Sequence, residues 1–106
     1  MKMYICIKQD TPVGMAMNAA AHGSLMCHLK YAGFDEEDEA YMIWLNDSFK
    51  KVTCAVSDAE FAMLKTVSDH LIVTESRLNN AELAIVLKPR HDTEWPEFVN
   101  LLRLWK

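Results

Sequence analysis

What the chain lacks narrows its class before any motif is read. Glycine and proline are scarce, three of each in 106 residues. That excludes a collagen-like or low-complexity chain and leaves an ordinary globular composition, 51% hydrophobic and 25% charged. No apolar run is long enough to span a bilayer, and the chain does not open on the basic-then-apolar pattern of a secretory signal. A cytoplasmic protein with no membrane partner is expected. Cysteine is limited to Cys6, Cys27 and Cys54, an odd and widely spaced set in apolar surroundings. No Cys/His spacing matches a zinc motif. Buried reduced thiols are therefore expected, with no disulfide, metal or organic cofactor. Repeats and linkers are also missing, so residues 1–106 read as one domain, long enough to bury a core. Positive charge is absent between residues 34 and 49, where Asp35, Glu36, Glu37, Asp38, Glu39 and Asp47 stand. The net charge is -4, and without those six carboxylates the remainder is weakly basic. This balance disfavours an extended nucleic-acid surface and permits a local phosphate site.

The pattern that is present alternates strand and helix. Met3 to Lys8 is apolar on both faces, as in a central strand covered on two sides. Thr11-Pro12 reads as a helix start, with a capping hydroxyl followed by proline at the first helical position. That helix should run to about Tyr31 and stop at Gly33, with Val13, Met17, Ala20, Ala21, Ser24, Leu25 and Leu29 as its inward residues. An acidic, mobile connection should follow, then a short helix from Glu39 to Asn46 with Met42, Ile43 and Leu45 inward. Lys51 to Val56 alternates as a second strand. Ser57-Asp58-Ala59-Glu60 is a capping box opening a helix with Phe61, Leu64 and Val67 on one side. Leu71 to Thr74 and Leu83 to Leu87 read as third and fourth strands, separated by a polar turn ending in Asn79-Asn80. Pro89 should end the fourth strand. A last helix should then bury Phe98, Leu101, Leu102 and Trp105. Helical links between the first three strands imply right-handed crossovers and a mainly parallel sheet, with an antiparallel pair allowed at the end. The expected fold is an α/β, three-layer α/β/α sandwich around a four-stranded mixed sheet.

Chemistry should gather where the first strand feeds the first helix, because free backbone N–H groups and the helix dipole meet there. Lys8 and Asp10 end that strand, and Thr11 opens the helix. Asn18 and His22 share a helix face at i and i+4. Asn18 is placed to orient a carbonyl or water. His22 serves either as a base or as a packed residue bonded to backbone, and its alanine-rich setting favours the packed role. Glu75, Ser76 and Arg77 follow the third strand. If that strand runs parallel to the first, they reach the same edge as Asp10 and Asn18. Glu75 would then position water and Arg77 would grip a phosphate with two donors. The plainer reading is an exposed ion pair. Trp44, Trp95 and Trp105 read as core or interface anchors, which leaves a homodimer open.

This order resembles the type II peptidyl-tRNA hydrolases of archaea and eukaryotes. The resemblance rests on the strand followed by Asp10-Thr-Pro-Val-Gly14, on Ala19-Ala-Ala-His22, and on Lys51 to Phe61 continuing through Thr74-Glu-Ser to Ala84-Ile-Val-Leu-Lys-Pro89. It implies hydrolysis of the ester bond of peptidyl-tRNA, with Asp10, Asn18, His22 and Glu75 in the chemistry and Lys8, Thr11, Ser76 and Arg77 on the substrate. The family's early lysines correspond to Val13 and Met15, and its glutamine to Ala19. Its Asp-Ala-Gly-Arg-Thr loop is represented by Glu75-Ser-Arg77. Those departures support the alternative of a catalytically silent relative that binds RNA, a nucleotide or a protein in the same crevice. Interaction through the acidic connection and the C-terminal tryptophans is a third possibility.

Overall fold

In a computed structural model covering residues 1–106, the chain forms five strands and four helices. The strands are β1 (Lys2–Lys8), β2 (Lys50–Val56), β3 (His70–Glu75), β4 (Ala81–Arg90) and β5 (Arg103–Leu104). The helices are α1 (Val13–Tyr31), α2 (Glu39–Asn46), α3 (Asp58–Leu64) and α4 (Glu97–Asn100). The sheet is mixed, in the order β3-β4-β1-β2-β5. Only β1 and β2 pair in parallel, while β1–β4, β3–β4 and β2–β5 are antiparallel. This corrects the mainly parallel expectation. The Asn79-Asn80 turn is the cause. Both residues take left-handed φ (57° and 60°) and fold β4 directly back on β3, so β4 inserts between β3 and β1.

The fifth strand is a second correction. α4 stops at Asn100, and Arg103–Leu104 pairs with β2. Trp105 N–H then donates to the Thr53 carbonyl at 2.9 Å. The apolar spacing predicts Leu102 to Trp105 as part of the final helix, but β2 would otherwise present an unpaired edge. Leu101 accordingly points to solvent, and Val99 takes the buried place in α4. Pro89 does not end β4, which continues to Arg90. Proline is tolerated there because the β1–β4 register shifts beside it, between Lys2 and Tyr4.

Helices cover both faces of the sheet. Met3, Ile5, Ile7, Ala84 and Val86 pack with α1 and α2 around Tyr31, Tyr41 and Trp44. Tyr4, Cys6, Cys54, Ile85 and Leu87 pack with α3 and α4 around Phe61, Leu64, Trp95 and Val99. The period of two along β1 and β4 therefore feeds two separate cores. α2 buries Tyr41 and Trp44, while Ile43, expected inside, is exposed. Ser57 and Glu60 form the expected capping box of α3.

Ala20, expected inside, packs against the core, but α1 otherwise turns a different face to the sheet from the one expected. Its buried residues are Ala16, Ala19, Gly23, Cys27 and Tyr31, whereas Val13, Met17, Leu25 and Leu29 are exposed. Small residues face the sheet because the helix lies against it closely. A Cβ on Gly23 would collide with Val86 Cγ2 and sit 3.2 Å from Val73 Cγ2. Nor does Thr11 cap this helix. Pro12 holds the N-cap position, no side chain caps the helix, and the Thr11 N–H donates to the Lys8 carbonyl at 3.0 Å. At the other end Gly33 does take positive φ, 102°. The acidic connection is pinned rather than loose. Gly33 N–H donates to the Glu36 carbonyl, and Asp38 N–H to the Tyr31 carbonyl, both at 2.9 Å.

All three thiols are free and buried. Burial pushes the Cys27 thiol up to about 12. Cys6 is also raised, first through its contact with Cys54, its in-register neighbour across β1–β2. The native protein is thus expected to consume no Ellman's reagent at neutral pH, and three equivalents once unfolded in guanidinium. Reaction of any thiol at the native stage would contradict this burial.

Candidate functional site

Strand direction places the polar corners. β4 is antiparallel to both β1 and β3, so β1, β2 and β3 all point the same way. In register, Ile7, Ala84 and Val73 form one row across the sheet. The residues following β1 and β3 therefore emerge at one rim. Open α/β sheets take ligands along this edge.

A cavity of about 250 Å³ opens there, lined by nine residues including Lys8, Gln9, Asp10, Thr11, Asp58 and Leu78. The first four come from the loop after β1, Asp58 opens α3 after β2, and Leu78 comes from the 3₁₀ turn Ser76–Leu78 after β3. The Lys8 ammonium lies 3.9 Å from Asp58 Oδ1 and 4.6 Å from the centre of the Phe61 ring. These contacts hold its stem across the floor while a third of the side chain stays open to solvent. Asp10 is exposed and engaged by no ion pair or hydrogen bond. Pro12 lines the same wall. With no acidic residue in its first turn and no capping side chain, α1 turns unpaired N–H groups toward this end.

The other expected residues stand beside the cavity. Glu75 Oε1 accepts from Arg77 Nε at 3.0 Å and from the Arg77 backbone N–H at 3.1 Å. That pairing, chiefly the side-chain bond, holds the Glu75 carboxyl below the usual carboxylate range, and nearby His22 adds a smaller push in the same direction. His22 is exposed and not packed, because the buried face of α1 runs through Gly23 and Cys27 instead. Asn18 is exposed on the same flank, and Ser76 is exposed in the turn. Lys8, Asp10 and Thr11 are therefore brought into one cavity. Glu75, Ser76 and Arg77 are brought to the same rim without lining it, while Asn18 and His22 stand on the exposed side of α1 outside the cavity. Sequence reasoning missed Gln9, Asp58 and Leu78. Asp58 had a legible signal, since the first residue of a capped helix after a strand parallel to β1 must open on the same rim.

Neither a comparison with protein-family models nor one with curated proteins finds a match to this chain.

Proposed function

We propose that the chain hydrolyses the ester bond of peptidyl-tRNA, as the resemblance to type II peptidyl-tRNA hydrolases implies, in a three-layer α/β/α frame and a cytoplasmic setting. The observation that carries the reading is the rim cavity, where a cation, an unpaired carboxylate and open helix N–H groups converge. Each suits one requirement of ester hydrolysis. Attack of water on the acyl carbon develops negative charge on the carbonyl oxygen, which the Lys8 ammonium and the first N–H groups of α1 stabilise. Asp10 accepts the proton of the attacking water. The carbon–oxygen bond to the terminal ribose then breaks, and the same proton passes to the departing oxygen, leaving peptide acid and tRNA. Arg77, braced by Glu75, and His22 flank the entrance and suit a terminal phosphate. Asn18 and Ser76 offer neutral hydrogen-bonding groups on that flank, and Thr11 shapes the wall beside Asp10.

Single-turnover cleavage of a purified N-acetyl-aminoacyl-tRNA at micromolar enzyme tests this. Peptide ester should be lost faster than in buffer, and Lys8→Ala should slow the step about tenfold, the value of one charge-assisted contact. Absence of cleavage by the unaltered protein would end the hydrolase reading. Tight tRNA binding without turnover would assign the silent relative instead.

A further inference from the structure

Helices cover the sheet unevenly. α1 and α2 pack over β4, β3 and β1, which leaves the same face of β2 and β5 largely open. Alternation along β2 puts Lys51, Thr53 and Ala55 on that face, opposite Cys54 and Val56. Arg103 pairs with Ala55 and shares its side, and Trp105, two residues on, packs against the α1–α2 core. Lys51 and Arg103 are exposed, while Thr53, Ala55 and Trp105 are half-buried. A cavity of about 510 Å³ opens at the upper end of this shelf, lined by Gln9, Ala55, Arg103, Leu104 and Lys106. Lys51, Arg103 and Lys106 enter no ion pair. The Lys51 ammonium instead rests 3.4 Å from the centre of the Phe49 ring and 5.3 Å from that of Trp44, so its charge is held in place but not neutralised. Arg103 Nη2 donates to Gln9 Oε1 at 2.5 Å, which turns it toward the rim. Trp44 and Trp95 are buried and stacked on other side chains, whereas Trp105 stands half-open with no aromatic or cationic partner.

We propose that this shelf holds the unpaired 3′-terminal nucleotides of an RNA, with phosphates on Lys51, Arg103 and Lys106 and one base stacked on Trp105. The choice of RNA rests on the hydrolase reading, which puts an ester-linked RNA end in the rim cavity. Gln9 lines both cavities, so a strand leaving the one enters the other. Free cations along a groove track a backbone, and an open indole accepts any base because every base has a π-face. Duplex RNA keeps its bases stacked inside and has none to offer Trp105. Cations on an edge strand also deter strand pairing, but that role needs neither an open tryptophan nor a path to the rim. The scale agrees with the charge of the chain. From Ala55 to Lys51 the shelf runs about 13 Å, room for only a few nucleotides, as a local site on a protein of net charge -4 requires.

Fluorescence anisotropy of a 5′-labelled single-stranded RNA of about six nucleotides tests this. The Kd should lie between about 1 and 100 μM at physiological salt, and log K should fall with log salt at a slope of about -2, three contacts at roughly 0.7 each. Arg103→Ala and Lys51→Ala should each flatten that slope by about 0.7. The RNA should also quench tryptophan emission, and Trp105→Phe should abolish the quenching while Trp44 and Trp95 still report a folded chain. A flat salt profile, binding unchanged in both alanine variants, or quenching that survives in Trp105→Phe would overturn the inference. So would a duplex of the same length that binds as tightly. Cleavage of N-acetyl-aminoacyl-tRNA separates the two claims. RNA binding through these residues without cleavage ends the hydrolase reading and keeps the shelf. Cleavage that ignores Arg103→Ala at subsaturating enzyme keeps the hydrolase and removes the shelf.

Discussion

Replacing Gly23 by valine is expected to lower the unfolding free energy by about 3 kcal/mol or more, and replacing it by alanine by about 1 kcal/mol. Propensity alone predicts the reverse, since glycine inside a helix costs about 1 kcal/mol relative to alanine. Packing wins because the first carbon added would meet Val86 Cγ2 within contact distance. Val86 cannot step aside. It is fully buried on β4, the strand between β1 and β3, and β-branching leaves it few rotamers. Relief at Val86 should therefore rescue the helix variant. Val86→Ala alone should cost about 2 kcal/mol through the space it leaves. Gly23→Ala with Val86→Ala should cost less than the two singles summed, by about 1 kcal/mol or more. Urea denaturation of the four proteins measures the coupling, and strict additivity would mean that α1 does not press on β4 at this point.

That contact also explains which parts of the fold were legible in the sequence. The period and length of α1 are legible in the sequence, but helical spacing also points Val13, Met17, Leu25 and Leu29 inward together with Ala20, Ala21 and Ser24. Large apolar residues normally point to the core. Here the sheet comes so close that only Ala16, Ala19, Gly23 and Cys27 fit beneath the helix. The alanine run does signal a close approach, but periodicity alone does not say which of two apolar faces makes it. The capping box of α3 and the asparagine turn were readable because their geometry is settled within four residues. β5 was not, because its reason lies fifty residues away in the open edge of β2. The candidate site divides the same way. Lys8, Asp10 and Thr11 follow from one strand feeding one helix. Asp58 and Leu78 join them only through the sheet order and the turn after β3. Arg77 spends its Nε donor on Glu75 in its own turn, so the local pairing that was the plainer reading coexists with its place on the rim.

Lys88→Met is expected to cost about 2–3 kcal/mol at neutral pH, and the loss should fade in acid. Lys88 projects from β4 with its ammonium 2.7 Å from Asp38 Oδ2 and 3.7 Å from Asp69 Oδ2, and 5.5 Å from the centre of the Tyr31 ring. Asp38 also caps α2, its Oδ1 accepting from the Tyr41 N–H at 2.9 Å. The two side chains are 13% and 18% exposed. Losing the cation therefore leaves a half-buried carboxylate facing Asp69, at somewhat less than the 3–5 kcal/mol of a fully buried pair. Partial burial by itself would raise the Asp38 carboxyl, but the bonds from Lys88 and the Tyr41 N–H outweigh it and hold the group below its ordinary value. A carboxyl lowered by folding stabilises the native state above its unfolded value, near pH 4, and that contribution disappears as pH falls through the lower folded value. The unaltered protein should accordingly lose stability faster than Lys88→Met between about pH 5 and pH 2, and the two unfolding curves should converge. Asp38→Asn keeps a good capping side chain while removing the charge, so it should share the flattened acid profile without fraying α2. A gap between the unaltered and Lys88→Met proteins that is constant across this range would mean that Lys88 contributes through its packed stem, against Tyr31, and not through the carboxylate of Asp38.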